Sequence, residues 1–395
     1  IMAPVILVLN SGSSSIKFSL YDGPAEQVTG QISGLGAEPH LNLEAPLSGR
    51  QIDRALDTTD GSSHGAALAA LLPILNEELG ERPVAAVGHR VVHGGTKHDL
   101  PIRITDAVVQ ELRVLEPLAP LHQPHNLAGI EAAQAAFPEA EQVACFDTAF
   151  HRKHPWVNDT FALPRSFYDE GVRRYGFHGL SYEYICEYLK HYAPDAYKGK
   201  VIVAHLGNGA SMCAIRAGQS IGSTMGFTAL DGLPMGTRCG QLDPGVILYL
   251  MTTKGMSADE ISDLLYKKSG LKGLSGISQD MRAVSQSDDP RAAEAIDYYV
   301  FRVRRELGAM AAVLSGVDTL VFTGGIGENS ALIRERVCTD QEWLGIQIDP
   351  ALNNAGDGPI STQSSKVAVL VIPTNEEEMI RRHTEALLTT SPVPA

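Results

Sequence analysis

Apolar runs that end in turns of small residues recur along this chain. In the first of them, residues 5–9 are apolar, residues 11–15 are Ser and Gly, and residues 16–21 alternate between apolar and polar side chains. A period of two is typical of a half-buried strand, so residues 5–21 predict a β-hairpin. A bend of Gly and Ser lets backbone N–H groups converge on an anion, and Lys17 adds a positive charge beside it. An ordinary serine-rich hairpin turn is the competing interpretation.

Two further stretches repeat this design. Residues 201–215 (VIVAHLGNGASMCAI) predict a strand, a turn of small residues and a second strand. Residues 319–329 (TLVFTGGIGEN) predict a strand that runs into a Gly-rich turn and then a helix. Three such units predict two similar half-molecules whose phosphate-holding turns face each other. The chain contains neither a Walker P-loop motif nor a completed GxGxxG dinucleotide motif.

The remaining periodicity predicts an α/β protein. Helices are expected over residues 63–78, 106–115, 126–136, 244–251, 258–266, 291–314 and 378–388. Buried strands are expected over residues 83–92, 141–146 and 367–373, and short edge strands within residues 27–60. Loops are expected over residues 116–125 and 221–243, and a frayed tail over residues 389–395.

Two charged residues stand in or directly after apolar strands. Arg90 lies inside residues 83–92, where a guanidinium is unfavourable to bury unless it meets an anion. Asp147 follows the strand of residues 141–146, the position at which open α/β sheets carry catalytic groups. A structural salt bridge for Arg90 and a capping role for Asp147 are the alternatives. Arg238 follows Gly236 in a Gly-rich loop and is expected to reach a ligand, unless it is an ordinary surface residue.

Composition narrows the class of protein. The 395 residues predict two domains, and 46 acidic against 32 basic side chains give a net charge of −14. This charge argues against non-specific binding to nucleic acid or to an anionic membrane, so neither partner is expected. A cytoplasmic location is expected from five scattered cysteines without a CxxC pair, from the lack of a signal-peptide pattern, and from the lack of a membrane-spanning apolar run.

Two HxxH pairs, His122 with His125 and His151 with His154, are weak candidates for a transition-metal site. Each pair contains or adjoins a proline and is expected in a loop, so its two histidines would not share a helical face. The chain has no GxSxG motif of the serine hydrolases either.

Nine short segments together resemble the acetate kinase family. They are LNSGSSSIKFSL, GHRVVHGG, APLH, FDTAFH, RRYGFHG, HLGNGAS, MGTR, FTGGIGENS and IPTNEE, and they occur in that family's order and spacing across essentially the whole chain. The resemblance implies the actin/Hsp70/sugar-kinase fold, an α/β architecture of two duplicated domains with an inter-domain active-site cleft. Residues 2–148 with 377–395 would form the N-terminal domain for the acyl substrate and phosphates, and residues 149–376 the C-terminal nucleotide-binding domain.

The resemblance also implies an activity. The expected reaction is ATP + acetate ⇌ ADP + acetyl phosphate, by direct in-line phosphoryl transfer. The expected enzyme is a cytoplasmic homodimer that depends on Mg²⁺, or on Mn²⁺ in its place, and contributes to acetyl-CoA biosynthesis.

Roles carry over to the residues that match the family's motifs. The implied catalytic residues are Asp147, His178, Arg238 and Arg90. The implied acyl-substrate site consists of Arg90, Val92, Leu121, His122 and Phe177. The implied ATP site consists of Ser13, Ser15, Lys17, His205, Leu206, Gly207, Asn208, Gly209, Asp280, Met281, Arg282, Gly325, Ile326, Gly327, Glu328 and Asn329. The implied Mg²⁺ ligands are Asn10 and Glu376.

The chain departs from the family's usual pattern within some of these motifs. The departures are Gln123 in place of Asn, Gly179-Leu180-Ser181-Tyr182 in place of GTSH, Cys239-Gly240-Gln241 in place of SGD, and Ala229 in place of a Pro that commonly closes the acyl pocket. The groups that carry the chemistry are kept, so these changes bear on substrate size more than on reaction type. A kinase for propionate or another short-chain carboxylate is therefore the alternative.

A carboxylate acceptor poses a particular chemical problem. It is already an anion at neutral pH, because the pKa of such a group is about 4.3, and it needs no general base. The difficulty is its repulsion from the triphosphate, so catalysis is expected to consist of positioning and charge neutralisation by Mg²⁺, Arg90, Arg238, Lys17 and His178. On this logic Asp147 orients an arginine or a metal-bound water and takes no proton. A non-catalytic, ATP-switched binding module on the same fold is an alternative of another class, but it would leave these charged residues without a purpose.

Overall fold

Each of two units of the chain is built on one mixed β-sheet. The computed structural model describes residues 2–390, so residues 391–395 of the predicted tail lie outside the described residues. The first unit comprises residues 2–149 and 375–390, and the second unit comprises Phe150–Thr374.

Within residues 2–149 and 375–390, the first unit contains an eight-stranded sheet. Its strands are β1 (Val5–Ser11), β2 (Ile16–Asp22), β3 (Ala25–Ser33), β4 (His40–Ala45), β5 (Arg50–Ala55), β6 (Ala86–Val91), β7 (Ile102–Arg103) and β8 (Glu141–Phe146). Its helices are α1 (His64–Leu79), α2 (Asp106–Val114), α3 (Gln123–Ala136) and a closing helix (Glu376–Leu388), with a 3-10 turn at Glu116–Leu118. The strand order is β5-β4-β3-β2-β1-β6-β8-β7.

Over residues 150–374, the second unit contains a six-stranded sheet. Its strands are β9 (Lys200–Leu206), β10 (Ala210–Arg216), β11 (Gln219–Ser223), β12 (Thr319–Thr323), β13 (Gly358–Pro359) and β14 (Ala368–Val371), in the order β11-β10-β9-β12-β14-β13. Its helices are α4 (Trp156–Asp159), α5 (Arg165–Asp169), α6 (Gly179–Tyr192), α7 (Pro194–Lys198), α8 (Pro244–Thr252), α9 (Ala258–Lys267), α10 (Gly270–Ser275), α11 (Met281–Ser285), α12 (Pro290–Leu314), α13 (Gly324–Asn329), α14 (Ala331–Cys338) and α15 (Pro350–Ala355).

The two sheets share their central topology. The first unit has β3-β2-β1-β6-β8 and the second has β11-β10-β9-β12-β14. In each, three strands form an antiparallel meander, and two further strands then continue parallel to the first. The predicted hairpins at residues 5–21 and 201–215 are the first two strands of these meanders. The prediction of an α/β fold with two duplicated domains is confirmed.

Local sequence signals account for the helix that covers the first sheet. Ser63 begins α1, because its side chain accepts a hydrogen bond from the backbone N–H of Ala66. The predicted apolar face of this helix, with Leu68, Leu71 and Leu75, packs into the core of the first unit. No helix within residues 2–390 is long and apolar enough to cross a membrane.

Three predictions of local structure were wrong. The Gly-rich turn expected after β12 is itself the short helix α13. α3 begins at Gln123 and therefore includes His125, which was expected in a loop. Pro124 occupies the first turn of α3, where its missing N–H needs no partner. The closing helix begins at Glu376 and not at residue 378, because the side chain of Asn375 accepts from the N–H of Glu378 and caps it.

Candidate active site

Parallel strands of the first unit carry polar residues at their carboxyl ends. Asn10 lies near the end of β1, opposite Lys17 of β2. Arg90 lies near the end of β6, and Asp147 directly follows β8, where its backbone N–H donates to the carbonyl of Val91. Because β1, β6 and β8 are parallel neighbours, these side chains share one edge of the sheet, where open α/β sheets bind ligands.

Arg90 contacts the other charged candidate residues at this edge of the sheet. Its Nε and Nη2 donate to Oδ1 and Oδ2 of Asp147, both at 2.8 Å. Its Nη1 lies 3.4 Å from Oε2 of Glu376. The salt bridge that was the alternative interpretation of Arg90 therefore exists, and it joins Arg90 to two other candidate residues.

The charges of this cluster perturb one another. Burial alone would lower the pKa of Arg90, but Asp147 and Glu376 outweigh that effect and raise it, so the guanidinium stays protonated. Burial raises the pKa of Glu376 to about 7; Arg90 counteracts this rise, and Asp147 adds to it. The cluster thus contains one cation and two carboxylates in a partly desolvated place, which a further cation would stabilise.

The donor set at this edge fits a hard divalent cation such as Mg²⁺. Within residues 2–390, the buried Oε2 of Glu376 has no hydrogen-bond partner. The closing helix packs against β1 and β6, which brings Glu376 in its first turn toward the strand ends that carry Asn10 and Arg90. Over the same residues no cluster of three or more His, Cys, Asp or Glu could hold a metal. Mg²⁺ needs no such cluster, because it is usually held by one or two carboxylates and keeps several waters.

The predicted hairpin bend is held in place by neighbouring elements. Nδ2 of Asn126 on α3 donates to the carbonyl of Ser11 at 2.9 Å, while its Oδ1 accepts from the N–H of Val92 at 2.9 Å. Nε2 of His64 and the carbonyl of Gly12 form a hydrogen bond of 2.7 Å. The implied phosphate contacts around this bend are accessible, since Ser13 and Lys17 are exposed and Ser15 is half-buried.

The implied acyl-substrate residues are divided between the units. Val92, Leu121 and His122 belong to the first unit, and the buried Phe177 belongs to the second. The neighbouring departure, Gln123, is fully buried.

Gln123, which stands where the family usually has Asn, has a structural role that the sequence did not reveal. Its Nε2 donates to the carbonyls of His93 and Leu112, and its Oε1 accepts from the N–H of His93. Gln123 therefore fixes the segment that follows β6, and with it the position of Val92.

In the second unit, His178 and Arg238 approach the same stretch of backbone. A Cβ atom added at Gly209 would lie 3.2 Å from Nε2 of His178 and 3.4 Å from Nη2 of Arg238. Any side chain at Gly209 would therefore crowd both residues, so glycine keeps this place open. The loop of Arg238 is held here because the N–H of Gly236 donates to the carbonyl of Asn208.

His178 has a constrained conformation. It has a φ of 57°, in the left-handed region, directly before α6 begins. Its Nδ1 and Oγ of Ser211 form a hydrogen bond of 2.9 Å, and its ring stacks on His205 with centroids 4.2 Å apart. His205 is in turn hydrogen-bonded through Nδ1 to Oγ of Ser181. These contacts orient Nε2 of His178 toward Gly209.

A cavity of 570 Å³ in the second unit brings together the three segments of the implied ATP site. Its lining includes Gly207, Asn208, Asp280, Met281, Arg282, Gly325, Ile326 and Asn329. The volume is in the range of ordinary small-molecule sites. Of the other implied residues, His205 and Leu206 lie on β9, Gly209 in the turn after it, and Gly327 and Glu328 on α13. The cavity also has lining residues that the sequence did not predict, namely Ser285, Gln286, Ser330, Ala331 and Leu332.

Comparison with known proteins decides the family. Residues 5–382 match the family model described as the acetokinase family. The chain belongs to the acetokinase family. The predicted resemblance and the predicted enzyme class, a kinase of this family, are confirmed.

Relatives match along the full length of this acetokinase-family chain. It is 55% identical to a protein named acetate kinase from Methylocella silvestris, with 98% of each chain covered. It is 51% identical to a protein named acetate kinase from Rhizobium meliloti, over 97% of this chain and 98% of the relative.

Solved structures give the same result. The crystal structure of Porphyromonas gingivalis acetate kinase is 40% identical, with 98% of this chain and 100% of that chain covered and a TM-score of 0.90. The crystal structure of a propionate kinase from Francisella tularensis is 38% identical, with 97% of this chain and 99% of that chain covered and a TM-score of 0.91.

Two further departures from the acetokinase-family pattern have defined contacts. Tyr182 is fully buried, and its hydroxyl is hydrogen-bonded to Oγ of Ser211, the hydroxyl that also contacts His178. Gln241 accepts hydrogen bonds from Arg302 and Arg305. Tyr182 therefore belongs to the network that orients His178, a role that only the three-dimensional contacts reveal.

Proposed function

We propose that this acetokinase-family chain transfers the terminal phosphoryl group of ATP to the carboxylate of acetate. The reaction is reversible and direct: the acetate oxygen bonds to phosphorus as the bond from phosphorus to the ADP oxygen breaks. The single observation that carries the proposal is the bidentate pair of Arg90 and Asp147, with Glu376 beside it, at the ligand-binding edge of the first sheet.

The two units are proposed to have different tasks. The first unit binds the acyl substrate, through Arg90 with Val92, Leu121 and His122, and contacts the phosphates through Ser13, Ser15 and Lys17. The second unit binds the nucleotide in the 570 Å³ cavity, whose lining comes from three separate Gly-rich or polar segments.

Arg90 is proposed to bind the substrate carboxylate. Nε and Nη2 of Arg90 donate to Asp147. The remaining nitrogen, Nη1, lies beside Glu376. The pairing fixes the guanidinium plane, which reduces the conformational entropy lost when the substrate binds. Asp147 acts here as the residue that orients Arg90, and no step requires it to accept a proton.

His178 and Arg238 are proposed to stabilise the charge that develops on the transferred phosphoryl group. Both nitrogens that border Gly209 can donate a hydrogen bond when protonated, and such donors are most effective when they are already oriented. Ser211 and His205 orient His178, and the carbonyl of Ala229 accepts from Nη1 of Arg238 at 2.9 Å.

Glu376 and Asn10 are proposed to hold Mg²⁺, or Mn²⁺ in its place. When bound, the ion neutralises phosphate charge and lowers the repulsion between ATP and the carboxylate. Two observations support this assignment: Oε2 of Glu376 accepts no hydrogen bond although Nη1 of Arg90 lies 3.4 Å away, and burial raises the pKa of Glu376, so a bound cation would stabilise its charged form.

A propionate kinase activity is the second candidate. Ala229 stands where the family commonly has Pro, and a propionate kinase is among the structures that this chain resembles. Each further CH₂ buried in a pocket stabilises the complex by about 0.8 kcal/mol, so a wider pocket would favour the longer acid.

The chain is also proposed to form a homodimer in the cytoplasm. The five cysteines are all free thiols, which suits a reducing compartment. The helix α8 exposes several large apolar side chains, among them Leu248 at 62%, Tyr249 at 49% and Met251 at 48% exposure. Large apolar side chains exposed together on one helix are typical of a subunit interface, which we assign to a second copy of the chain.

A hydroxylamine trap tests the activity. The purified protein is incubated with ATP, Mg²⁺ and one of acetate, propionate or butyrate, and acyl hydroxamate is measured. We expect acetate to give product and the reaction to stop when Mg²⁺ is chelated, with protein-free samples as the control. Product at the level of protein-free samples with all three acids would refute the proposal.

A further inference from the structure

Arg334 on α14 is a fully buried arginine that binds only neutral oxygens in the described part of the chain. It is 2% exposed. Its Nη1 donates to the carbonyls of Gly327 and Glu328, at 2.9 and 3.0 Å. Its Nε and Nη2 donate to Oδ1 and the carbonyl of Asn353, at 2.8 and 2.7 Å. Within residues 2–390 it forms no ion pair.

A buried guanidinium without a counter-charge needs a reason. Removing a cation from water is unfavourable, and in Arg334 only hydrogen bonds to amide oxygens offset that desolvation. An apolar residue of similar volume would fill the same space without this penalty. The structure also makes room for the guanidinium at Gly356, where a Cβ would lie 2.9 Å from Nη2. The role of Arg334 therefore lies in the backbone that it holds.

That backbone is the wall of the nucleotide cavity. Gly327 and Glu328 lie in α13, whose Gly325, Ile326 and Asn329 line the 570 Å³ cavity. α13 has six residues, too few to be stable as an isolated helix, and the last carbonyls of a helix have no partners within it. Arg334 supplies those partners.

Asn353 completes the clamp from the other side. While its oxygens accept from Arg334, its Nδ2 donates to the carbonyl of Ala331 at 2.9 Å. Ala331 is the first residue of α14 and itself lines the cavity. Arg334 and Asn353 together therefore fix α13 and the start of α14 from behind the cavity wall.

We infer that Arg334, with Asn353, is a positioning residue for ATP: it sets the place of the Gly-rich segment that contacts the nucleotide. This inference rests on the proposed function, because it assigns the 570 Å³ cavity to ATP. Arg334 lies outside the cavity lining and acts only through the backbone of α13. ATP affinity therefore depends on it, whereas acetate affinity does not.

The chain offers a matched control in Arg304 of α12. Nη1 of Arg304 also donates to backbone carbonyls, those of Arg336, Val337 and Thr339, at the opposite end of α14. Arg304 thus makes the same kind of contact, to carbonyls at the end of a helix, but these carbonyls are not part of the cavity lining. Replacement of either arginine by lysine keeps the charge and removes the planar fork that reaches several carbonyls at once.

The test compares the variants Arg334→Lys and Arg304→Lys with the unaltered protein. Steady-state kinetics give the KM for ATP, the KM for acetate and kcat, and thermal unfolding gives Tm. For Arg334→Lys we expect the KM for ATP to rise at least about tenfold while the KM for acetate is unchanged. For Arg304→Lys we expect a lower Tm with an unchanged KM for ATP. An equal effect of both variants on the KM for ATP, or a lower Tm alone in Arg334→Lys, would overturn the inference.

A second variant and a second readout keep the test decisive. If Arg334→Lys does not fold, Asn353→Ala carries the same expectation, because it removes both the acceptor for Nε and the donor to Ala331. Binding of ATP without turnover, measured by calorimetry, distinguishes a failure of the proposed function from a failure of the positioning role of Arg334. If the unaltered protein forms no acyl phosphate, the proposed function fails, and weaker ATP binding in Arg334→Lys still supports the inference. Equal ATP binding in Arg334→Lys and the unaltered protein refutes it.

Discussion

Arg90 and Asp147 face each other through two parallel hydrogen bonds of 2.8 Å, one from Nε to Oδ1 and one from Nη2 to Oδ2. The Asp147 side chain is 4% exposed, so this carboxylate is committed to the arginine and not to solvent. Bidentate pairs of this kind fix the plane of the guanidinium as well as its position. The geometry therefore supports an orienting role for Asp147.

The first prediction concerns this pair. Asp147→Asn keeps the shape of the side chain but removes the charge and one of the two acceptor oxygens. We expect kcat to fall by ~10²–10³, because Arg90 is then no longer held in one orientation. The hydroxamate assay measures the loss. Asp297→Asn, which breaks the exposed ion pair with Arg336, is the control and should leave kcat unchanged. Near-normal turnover and Mg²⁺ dependence in Asp147→Asn would remove Asp147 from the site.

The second prediction concerns Arg238, whose Nη2 lies beside Gly209 together with Nε2 of His178. Arg238→Ala removes a donor that is oriented before the reaction, and we expect kcat to fall by ~10²–10³ with a smaller change in the KM for ATP. Steady-state kinetics in both directions of the reaction measure this. Arg216→Ala removes an arginine that donates to the carbonyl of Leu314, so it controls for general loss of arginine contacts. If Arg238→Ala kept full activity, Arg238 would have no catalytic role.

Much of this site could be predicted because its residues conflict with their local pattern. Arg90 interrupts an apolar strand, Asp147 ends another, and the turns at residues 11–15 and 207–211 consist of small residues. A signal for the start of the closing helix was also present, since Asn375 stands three residues before Glu378 as a capping side chain does.

The contacts that orient these residues could not be predicted in the same way. Gln123 meets His93, Ser211 meets His178, and Arg334 meets Asn353, and each pair is far apart in sequence. Periodicity identifies which face of an element is buried, but it does not identify the partner of a polar side chain on another element. The replacement of Asn by Gln123 was therefore predicted to affect substrate size, although the side chain of Gln123 holds the backbone after β6.

The third prediction concerns the exposed apolar helix α8. Leu248→Glu places a charge on the surface that we assign to a second copy of the chain, and we expect the protein to become a monomer. Light scattering after size-exclusion chromatography measures the mass. Leu100→Glu is the control, because Leu100 is 65% exposed and belongs to the first unit. A monomeric unaltered protein, or a dimeric Leu248→Glu variant, would contradict the assignment.

The fourth prediction concerns the size of the acyl substrate. If Ala229 widens the acyl pocket, propionate should be used appreciably, and Ala229→Pro should shift the preference toward acetate. The measured quantity is the ratio of kcat/KM for the two acids, with and without the substitution. Because the carbonyl of Ala229 accepts from Arg238, kcat for acetate in Ala229→Pro shows whether that contact survives. A kcat/KM for propionate several hundredfold below that for acetate in the unaltered protein would refute the wider pocket.

The fifth prediction concerns acid stability and rests on His89. This residue is fully buried on β6, and its Nε2 is hydrogen-bonded to Oε1 of Gln142 at 2.6 Å. Burial lowers the pKa of His89 to about 4 from the ordinary value of 6.5. The unfolded chain therefore binds a proton below pH 6.5 that the folded protein does not bind until about pH 4. The free energy of unfolding is therefore not reduced by His89 above pH 6.5. It falls as the pH is lowered from 6.5 to about 4, by about 3 kcal/mol in all.

Denaturant unfolding of the unaltered protein and of His89→Gln at several pH values between 4 and 7 measures this contribution. Gln cannot titrate, so we expect the variant to lose stability less steeply as the pH falls, even if it is less stable at pH 7. His191→Gln is the matched control, because His191 is solvent-exposed at the end of α6, and this variant should follow the unaltered protein. Identical slopes for His89→Gln and the unaltered protein would mean that protonation of His89 does not drive acid unfolding. The half-buried His154, whose pKa burial lowers to about 2, would then be the next histidine to replace.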